Sequence, residues 1–278
     1  GRGSRMAEAM PKQYLPLAGV SVLHRALAPL EAESRIAGIV LVVAPDDPFG
    51  NDYRPLTSKP LIVAHGGAQR CDSVGNGLRA LEGEADEQDW VIVHDAARPC
   101  LHRDDLTGLI DTLCSHPCGG LLAVPVHDTL KRASSAGAVL ETVDRAGLWR
   151  ALTPQMFRYG LLRDALAMTK AAGRDVTDEA AAMELAGHAV QLVEGRPDNI
   201  KVTRSADLEQ AEQIIAALGQ SRSESAMASM FTVSVPVTQP SLVEYGSNMM
   251  PESWRTRMAT WRFMHCAMLC LAQARSEI

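Results

Sequence analysis

The segment that opens the chain, Gly1 to Lys12 (GRGSRMAEAMPK), collects the groups an oligophosphate needs. Glycines at 1 and 3 let the backbone turn tightly and aim its N–H groups at an anion. Ser4 adds a hydroxyl donor, and Arg5 and Lys12 add two positive charges. It is not a P-loop, because no Gly-Lys-Ser/Thr follows. Taken alone, Gly-Arg-Gly-Ser reads equally well as a tag remnant ahead of Met6. A second constellation is His94-Asp95-Ala96-Ala97-Arg98-Pro99. Asp95 at the tip of an apolar run suits Mg²⁺, which takes one or two carboxylates plus phosphate oxygens. Arg98 can grip a phosphate bidentately. The competing reading has Asp95 capping the next helix with Arg98 as its ion-pair partner.

A third set is dispersed: Thr129, Lys131, Arg132, Asp144, Arg145, Thr153, Thr177 and Lys201. Each has a plain structural reading. Thr177 ahead of Asp178-Glu179 is a credible helix N-cap. Lys131 and Arg132 read as charges that blunt an edge strand. Lys201, between Ile200 and Val202, reads as a strand residue facing either solvent or a cleft. His65, His94 and His127 lack metal-ligand spacing, and Ser73 has no evident His–Asp partner. The six cysteines form no C-x-x-C pair, so free thiols are expected.

Elements that could position these groups follow from the apolar pattern. Runs at 38–43 (GIVLVV), 61–64, 90–93 (WVIV) and 120–124 read as strands buried on both faces. Helical spacing predicts a helix capped by Ser21, one through Val74, Leu78 and Leu81, and further helices at 104–115, 160–172 and 178–186. A strand at 189–193 is expected next. Then comes a last helix capped by Ser205, with Leu208, Ala211, Ile214, Ile215 and Leu218 on one face and Gly219 closing it. Such alternation predicts an α/β, Rossmann-like fold: a mostly parallel sheet with helices on both faces. Ligands in such sheets sit at the carboxyl ends of the strands, where Gly66-Gly67, Asp95–Arg98 and Asp128-Thr129 fall. Residues 125–150 break the pattern. They read as a projecting β-arm with little core of its own, which would need a partner surface.

The chain holds 278 residues with a formal net charge of −6, which argues against a broad nucleic-acid-binding face. No apolar run is long enough to span a bilayer and no signal peptide is seen, so a cytoplasmic protein with no membrane partner is expected. Ser221–Met230 has a linker composition, and the remaining residues to 278 continue no strand–helix alternation. The domain reading is therefore 1–220 as one nucleotide-handling domain. Residues 221–278 form a tail, disordered or loosely helical.

The motifs in their order resemble one family. They are GRGSRM with PKQYL, GG-x-x-R-x-DSV at Gly66–Val74, VHDAARP at Val93–Pro99, PVHDTLKR at Pro125–Arg132, TVDRAGLWRALTPQ at Thr142–Gln155, VTDEAAAMEL at Val176–Leu185, and VEGRPDNIKVT at Val193–Thr203. This set is similar to the 2-C-methyl-D-erythritol 4-phosphate cytidylyltransferases of the non-mevalonate isoprenoid pathway. The resemblance implies transfer of CMP from CTP to that polyol phosphate with release of pyrophosphate, supported by Mg²⁺ or another divalent cation. It implies Arg5, Lys12 and Lys201 around the α-phosphate, with Gly1, Gly3 and Ser4 in the phosphate loop. Gly67 and Ser73 would lie near the cytosine, and Asp95 on the metal. Arg98, Thr129, Arg145, Thr153 and Thr177 would hold the polyol phosphate. It also implies a homodimer in which the arm lends Thr129 and Arg145 to the neighbouring site.

The sequence departs from the family in three ways. The apolar first strand that leads into the glycine loop is missing, and an open gap in the middle of the sheet is expected. Ala68 follows Gly67 where an acidic residue is usual. The tail has no family counterpart. A cytidylyltransferase for another polyol phosphate, such as ribitol 5-phosphate, and a truncated non-catalytic paralogue remain competing readings.

Overall fold

The computed structural model describes residues 11–47, 57–230 and 267–272, with 219–230 and 267–272 described as backbone. A 3-10 turn at Lys12–Tyr14 leads into a short antiparallel pair, β1 (Pro16–Leu17) and β2 (Val20–Ser21). Then follow α1 (Val22–Ala32), β3 (Ile36–Val43), β4 (Leu61–His65), α2 (Arg70–Arg79), β5 (Trp90–His94), α3 (Arg103–Leu113) and β6 (Gly119–Pro125). A hairpin of β7 (Leu130–Ala133) and β8 (Val139–Val143) comes next. β9 (Trp149–Arg158), α4 (Tyr159–Ala171), α5 (Glu179–Leu185), β10 (Gln191–Glu194), α6 (Ser205–Met230) and β11 (Ala267–Ala272) complete the described elements.

The main sheet has seven strands in the order β10-β6-β9-β5-β11-β3-β4. Five run in one direction, and β9 and β11 run against them. The period of two along a strand explains the core. Ile39, Leu41 and Val43 of β3, with Trp90 and Ile92 of β5, face α1 and α3. Val40, Val42, Val91 and Val93 face the layer of α2, α4 and α5. Strands covered on both sides must be apolar at every position, which is why they read as unbroken runs. A smaller cluster packs Leu208, Ala211, Ile214 and Ile215 of α6 onto Leu15, Leu17, Val22 and Val202.

Several sequence expectations are corrected. β9 is an unforeseen strand, because Pro154 reads against a central position. The ladder to β6 jumps from Gln155 to Ala151, so Pro154 falls where that pairing is irregular and no N–H is asked of it. α6 does not stop at Gly219 but continues to Met230. A single interior glycine costs a helix only about 1 kcal/mol relative to alanine, and Ala-, Ser- and Glu-rich sequence follows it. Ser205 is the first helical residue rather than the cap. The Asp207 carboxylate accepts from the N–H groups of Thr203 and Arg204, at 2.7 and 2.8 Å. Ser21 does cap α1, accepting from the His24 N–H at 3.1 Å.

The expected gap in the sheet is closed. β11 lies between β5 and β3, antiparallel to both, with Leu269 opposite Val93 and Val40. Its sequence, Ala-Met-Leu-Cys-Leu-Ala, is continuous apolar like that of its neighbours. The tail is therefore neither wholly disordered nor wholly helical: it supplies an end to α6 and a central strand. Residues 231–266 and 273–278 lie outside the described residues.

Candidate active site

The site forms at the carboxyl end of β5, where the sheet delivers Asp95. Its backbone N–H donates to the Thr153 hydroxyl of β9 at 3.0 Å, and the same hydroxyl lies 3.0 Å from His94 Nδ1. His94 Nε2 is 3.1 Å from the Arg98 carbonyl, which can only accept, so Nε2 carries the proton. His94 Nδ1 is then the acceptor and Thr153 its donor. Burial pushes the His94 imidazole down to about 4, so the ring is neutral at pH 7. This chain of bonds fixes the turn from Asp95 to Arg98. Asp95 does not cap α3; His102 does.

Three cations surround the Asp95 carboxylate. Lys201 Nζ sits 2.6 Å from Oδ2, Arg70 Nε is 3.4 Å from Oδ1, and Arg98 Nε is 3.9 Å from Oδ2. Burial alone would raise the carboxyl, but Arg70 and Lys201 reverse that and hold it far below the ordinary carboxylate range. Lys201 lies outside any strand and points into the cleft, which resolves the choice left open by the sequence. Lys12 Nζ donates to the Val202 carbonyl at 3.1 Å, one residue from Lys201. Val202 N–H in turn donates to the Ala97 carbonyl at 2.8 Å. Lys12, Lys201 and Arg98 are thus gathered at one strand end from three distant parts of the sequence. Arg98 Nη1 donates to the Asn199 carbonyl at 2.7 Å, while Arg98 Nε and Asn199 Oδ1 are buried without a hydrogen-bond partner among the described residues.

Gly67 and Ser73 lie at the start of α2. Ser73 is fully buried; it accepts from the Gly67 N–H and donates to the Gln69 carbonyl, each at 3.1 Å. Its hydroxyl shapes the glycine turn. A Cβ at Gly67 would lie 2.3 Å from that of Asp72, so only glycine fits there.

Arg70 and Glu179 are the residues that sequence reasoning passed over. Glu179 is 1% exposed, and its carboxylate takes both terminal nitrogens of Arg70, Nη2 at 2.9 Å. Burial pushes the Glu179 carboxyl up, and the guanidinium opposes that shift. Arg70 stood in the quoted GG-x-x-R-x-DSV motif, where its role had no visible signal. Thr177 is exposed and is not the cap of α5: Asp178 is, accepting from the Ala181 N–H at 3.0 Å. A carboxylate one residue nearer the helix displaces the hydroxyl. Thr153 is only 4% exposed, and its hydroxyl is engaged by the Asp95 N–H and His94 Nδ1.

The hairpin is a region apart. Thr129 and Arg145 are exposed, and Arg145 Nη1 donates to the His127 carbonyl. Val139 and Leu140 are each 63% exposed. Gly1, Gly3, Ser4 and Arg5 lie outside the described residues.

Cations gathered around one carboxylate at the carboxyl end of β5, in a Rossmann-like α/β sheet, suit the nucleotidyltransferase class. The particular family follows from comparison with known proteins. The model of the 2-C-methyl-D-erythritol 4-phosphate cytidylyltransferase family matches residues 1–217, and the chain belongs to that family. A Pseudomonas entomophila protein bearing this name is 50% identical over 214 residues, covering 77% of this chain and 91% of the relative. One from Pseudomonas aeruginosa is 52% identical over 209 residues, covering 75% and 89%. Among solved structures, a 4-diphosphocytidyl-2C-methyl-D-erythritol synthase superposes with a TM-score of 0.68 at 39% identity, covering 73% of this chain and 94% of the other. The Francisella tularensis 2-C-methyl-D-erythritol 4-phosphate cytidylyltransferase gives 0.67 at 34% identity, covering 74% and 93%. β11 lies beyond the span matched by the family model.

Proposed function

We propose that this chain transfers CMP from CTP to 2-C-methyl-D-erythritol 4-phosphate, giving 4-diphosphocytidyl-2-C-methyl-D-erythritol and pyrophosphate for isoprenoid precursor synthesis. The observation that carries the mechanism is Arg98. It is a largely buried guanidinium whose Nε lies 3.9 Å from Asp95 Oδ2 and has no hydrogen-bond partner among the described residues, with Lys201 on the same carboxylate.

The nucleophile is a phosphate oxygen, anionic at neutral pH, so no general base is needed. It attacks the α-phosphorus of CTP. The bond from that phosphorus to the bridging oxygen breaks, and the electron pair leaves with pyrophosphate. Two anions must meet, so the work of the site is electrostatic. Lys12 and Lys201, together with Arg5 and the loop of Gly1, Gly3 and Ser4, stabilise charge building on the α-phosphate. Arg98 holds the polyol phosphate. Gly67, shaped by Ser73, leaves room for the base.

A divalent cation such as Mg²⁺ fits the donor set. Among the described residues no cluster of three acidic, His or Cys side chains is formed, and Asp95 is the carboxylate that faces Lys201 and Arg98. That suits an ion held chiefly by substrate phosphates. When bound, it would neutralise phosphate charge. Asp95 would be its protein ligand.

The arm completes the neighbouring site in a homodimer. Thr129, Arg145 and Thr177 are solvent-facing groups suited to that shared surface, and the exposure of Val139 and Leu140 supports burial against a second copy. No helix among the described residues is long and apolar enough to cross a membrane. A cytoplasmic enzyme acting on small soluble anions, with no nucleic-acid partner, accords with the net charge of −6.

The test is pyrophosphate release from CTP with 2-C-methyl-D-erythritol 4-phosphate or ribitol 5-phosphate as acceptor. Turnover with the first and little with the second is expected. The reverse preference, or none with either, refutes the assignment.

A further inference from the structure

Arg70 begins α2 and Glu179 begins α5, and the two meet beneath Asp95. The guanidinium faces two carboxylates but divides itself unequally. Both terminal nitrogens go to Glu179, leaving only Nε for Asp95, at 3.4 Å. Arginine and carboxylate favour a bidentate fork. Released from Glu179, Arg70 could therefore rotate to take Asp95 in that manner. Lys201 is 2.6 Å from Oδ2 and Arg70 Nε is 3.4 Å from Oδ1, so Oδ1 faces a cation only through one long contact, which a fork would tighten. A buried ion pair such as Arg70–Glu179 contributes little net stability, since both charges must be desolvated. Its placement at the root of the site suggests a task.

We propose that Glu179 is a positioning residue. By holding both terminal nitrogens of Arg70, it keeps that arginine from closing on Asp95, and so leaves Oδ1 engaged only by one long contact that the divalent cation accompanying the nucleotide can displace. This rests on the reading that Asp95 is the metal ligand. Glu179 touches neither substrate nor metal; it acts through Arg70.

The readout is binding rather than turnover. The affinity of the full-length protein for CTP is measured by calorimetry in EDTA and in saturating Mn²⁺, and the ratio of the two dissociation constants is compared between variants. The wild type is expected to bind CTP more tightly with Mn²⁺. In Glu179→Gln the gain from Mn²⁺ should shrink about tenfold, the size typical of residues that orient a metal ligand. Binding in EDTA should be unchanged or tighter. Arg70→Lys should behave in the opposite way. An ammonium cannot span both carboxylates and would stay with the fully buried Glu179, so Asp95 is freed and the ratio stays at or above the wild-type value. A wild-type ratio in folded Glu179→Gln overturns the proposal and leaves the metal reading intact. A ratio of one in the wild type defeats the metal reading itself, and the proposal with it. Should Glu179→Gln fail to fold, Arg70→Lys decides: a tenfold smaller ratio overturns the proposal.

Discussion

The crevice around Asp95 and the β7–β8 hairpin hold candidate residues of one reaction under opposite conditions. Asp95, His94, Thr153 and Glu179 are buried, and each is bonded to partners from other elements. Thr129 and Arg145 are exposed on a two-stranded ribbon whose large apolar side chains also face solvent. The buried residues of the crevice are bonded within one chain; the ribbon leaves Val139 and Leu140 exposed. Two-stranded ribbons have little stability of their own. On the homodimer proposal a second subunit would hold Arg145 productively, whereas Lys201 is already held by Asp95.

This contrast can be broken at several points. The largest effect is expected for Lys201→Ala, which should lower kcat by about a hundred- to a thousandfold, as loss of a group that stabilises transition-state charge does. Its urea unfolding midpoint should stay near wild type, because Lys201 is partly exposed. Arg145→Ala should also cost roughly a hundredfold in turnover, but its defect should be rescued in trans. Mixing equal amounts of Lys201→Ala and Arg145→Ala subunits after exchange should restore roughly a quarter of the wild-type sites, since half the dimers are mixed and one of their two sites is intact. Two inactive pools that stay inactive on mixing would place Arg145 in its own subunit's site.

A smaller effect separates the two regions by pH. The His94 pKa falls from 6.5 to about 4 on folding, so between those values the unfolded chain binds the extra proton. Stability therefore declines as pH falls from 6.5 toward 4, by about 3 kcal/mol if His94 acts alone. Denaturant titrations at pH 7 and pH 4.5 should show this slope in the wild type and its loss in His94→Gln. The smallest effect on the isolated fold is expected for Leu140→Asp. At 63% exposure its unfolding free energy should shift by no more than about 0.5 kcal/mol. Sedimentation should nevertheless show the dimer weakened.

The sequence made the strands and the Asp95–Arg98 turn legible because both faces of β3 and β5 are covered, which forces apolar residues at every position. It was equally clear about the hairpin, for the opposite reason. Pro154 hid β9, since proline argues against a strand unless the ladder is irregular at that point. Arg70 and Glu179 are separated by more than a hundred residues, and nothing local to either tells that they pair. Lys201 takes its direction from Asp95, more than a hundred residues away, so nothing local to it tells which way it points. Thr177 reads as a cap that Asp178 takes, because adjacent capping residues compete and the carboxylate reaches the Ala181 N–H. β11 was invisible for the same long-range reason: six apolar residues in a tail say nothing of the slot that accepts them.

That slot has a bearing on how the molecule folds. β3 and β5 do not bond to each other; each bonds to β11. The sheet is thus two half-sheets, β4–β3 and β5–β9–β6–β10, zipped together by a segment far downstream of both. Pairings so distant in sequence carry a large loop-closure entropy and form slowly. The half-sheets should gain protection from hydrogen exchange first, as separate cooperative units, and the amides of β3 and β5 that face β11 last. The crevice at Asp95 then reaches its final shape only when a strand from outside the family-matched span has arrived.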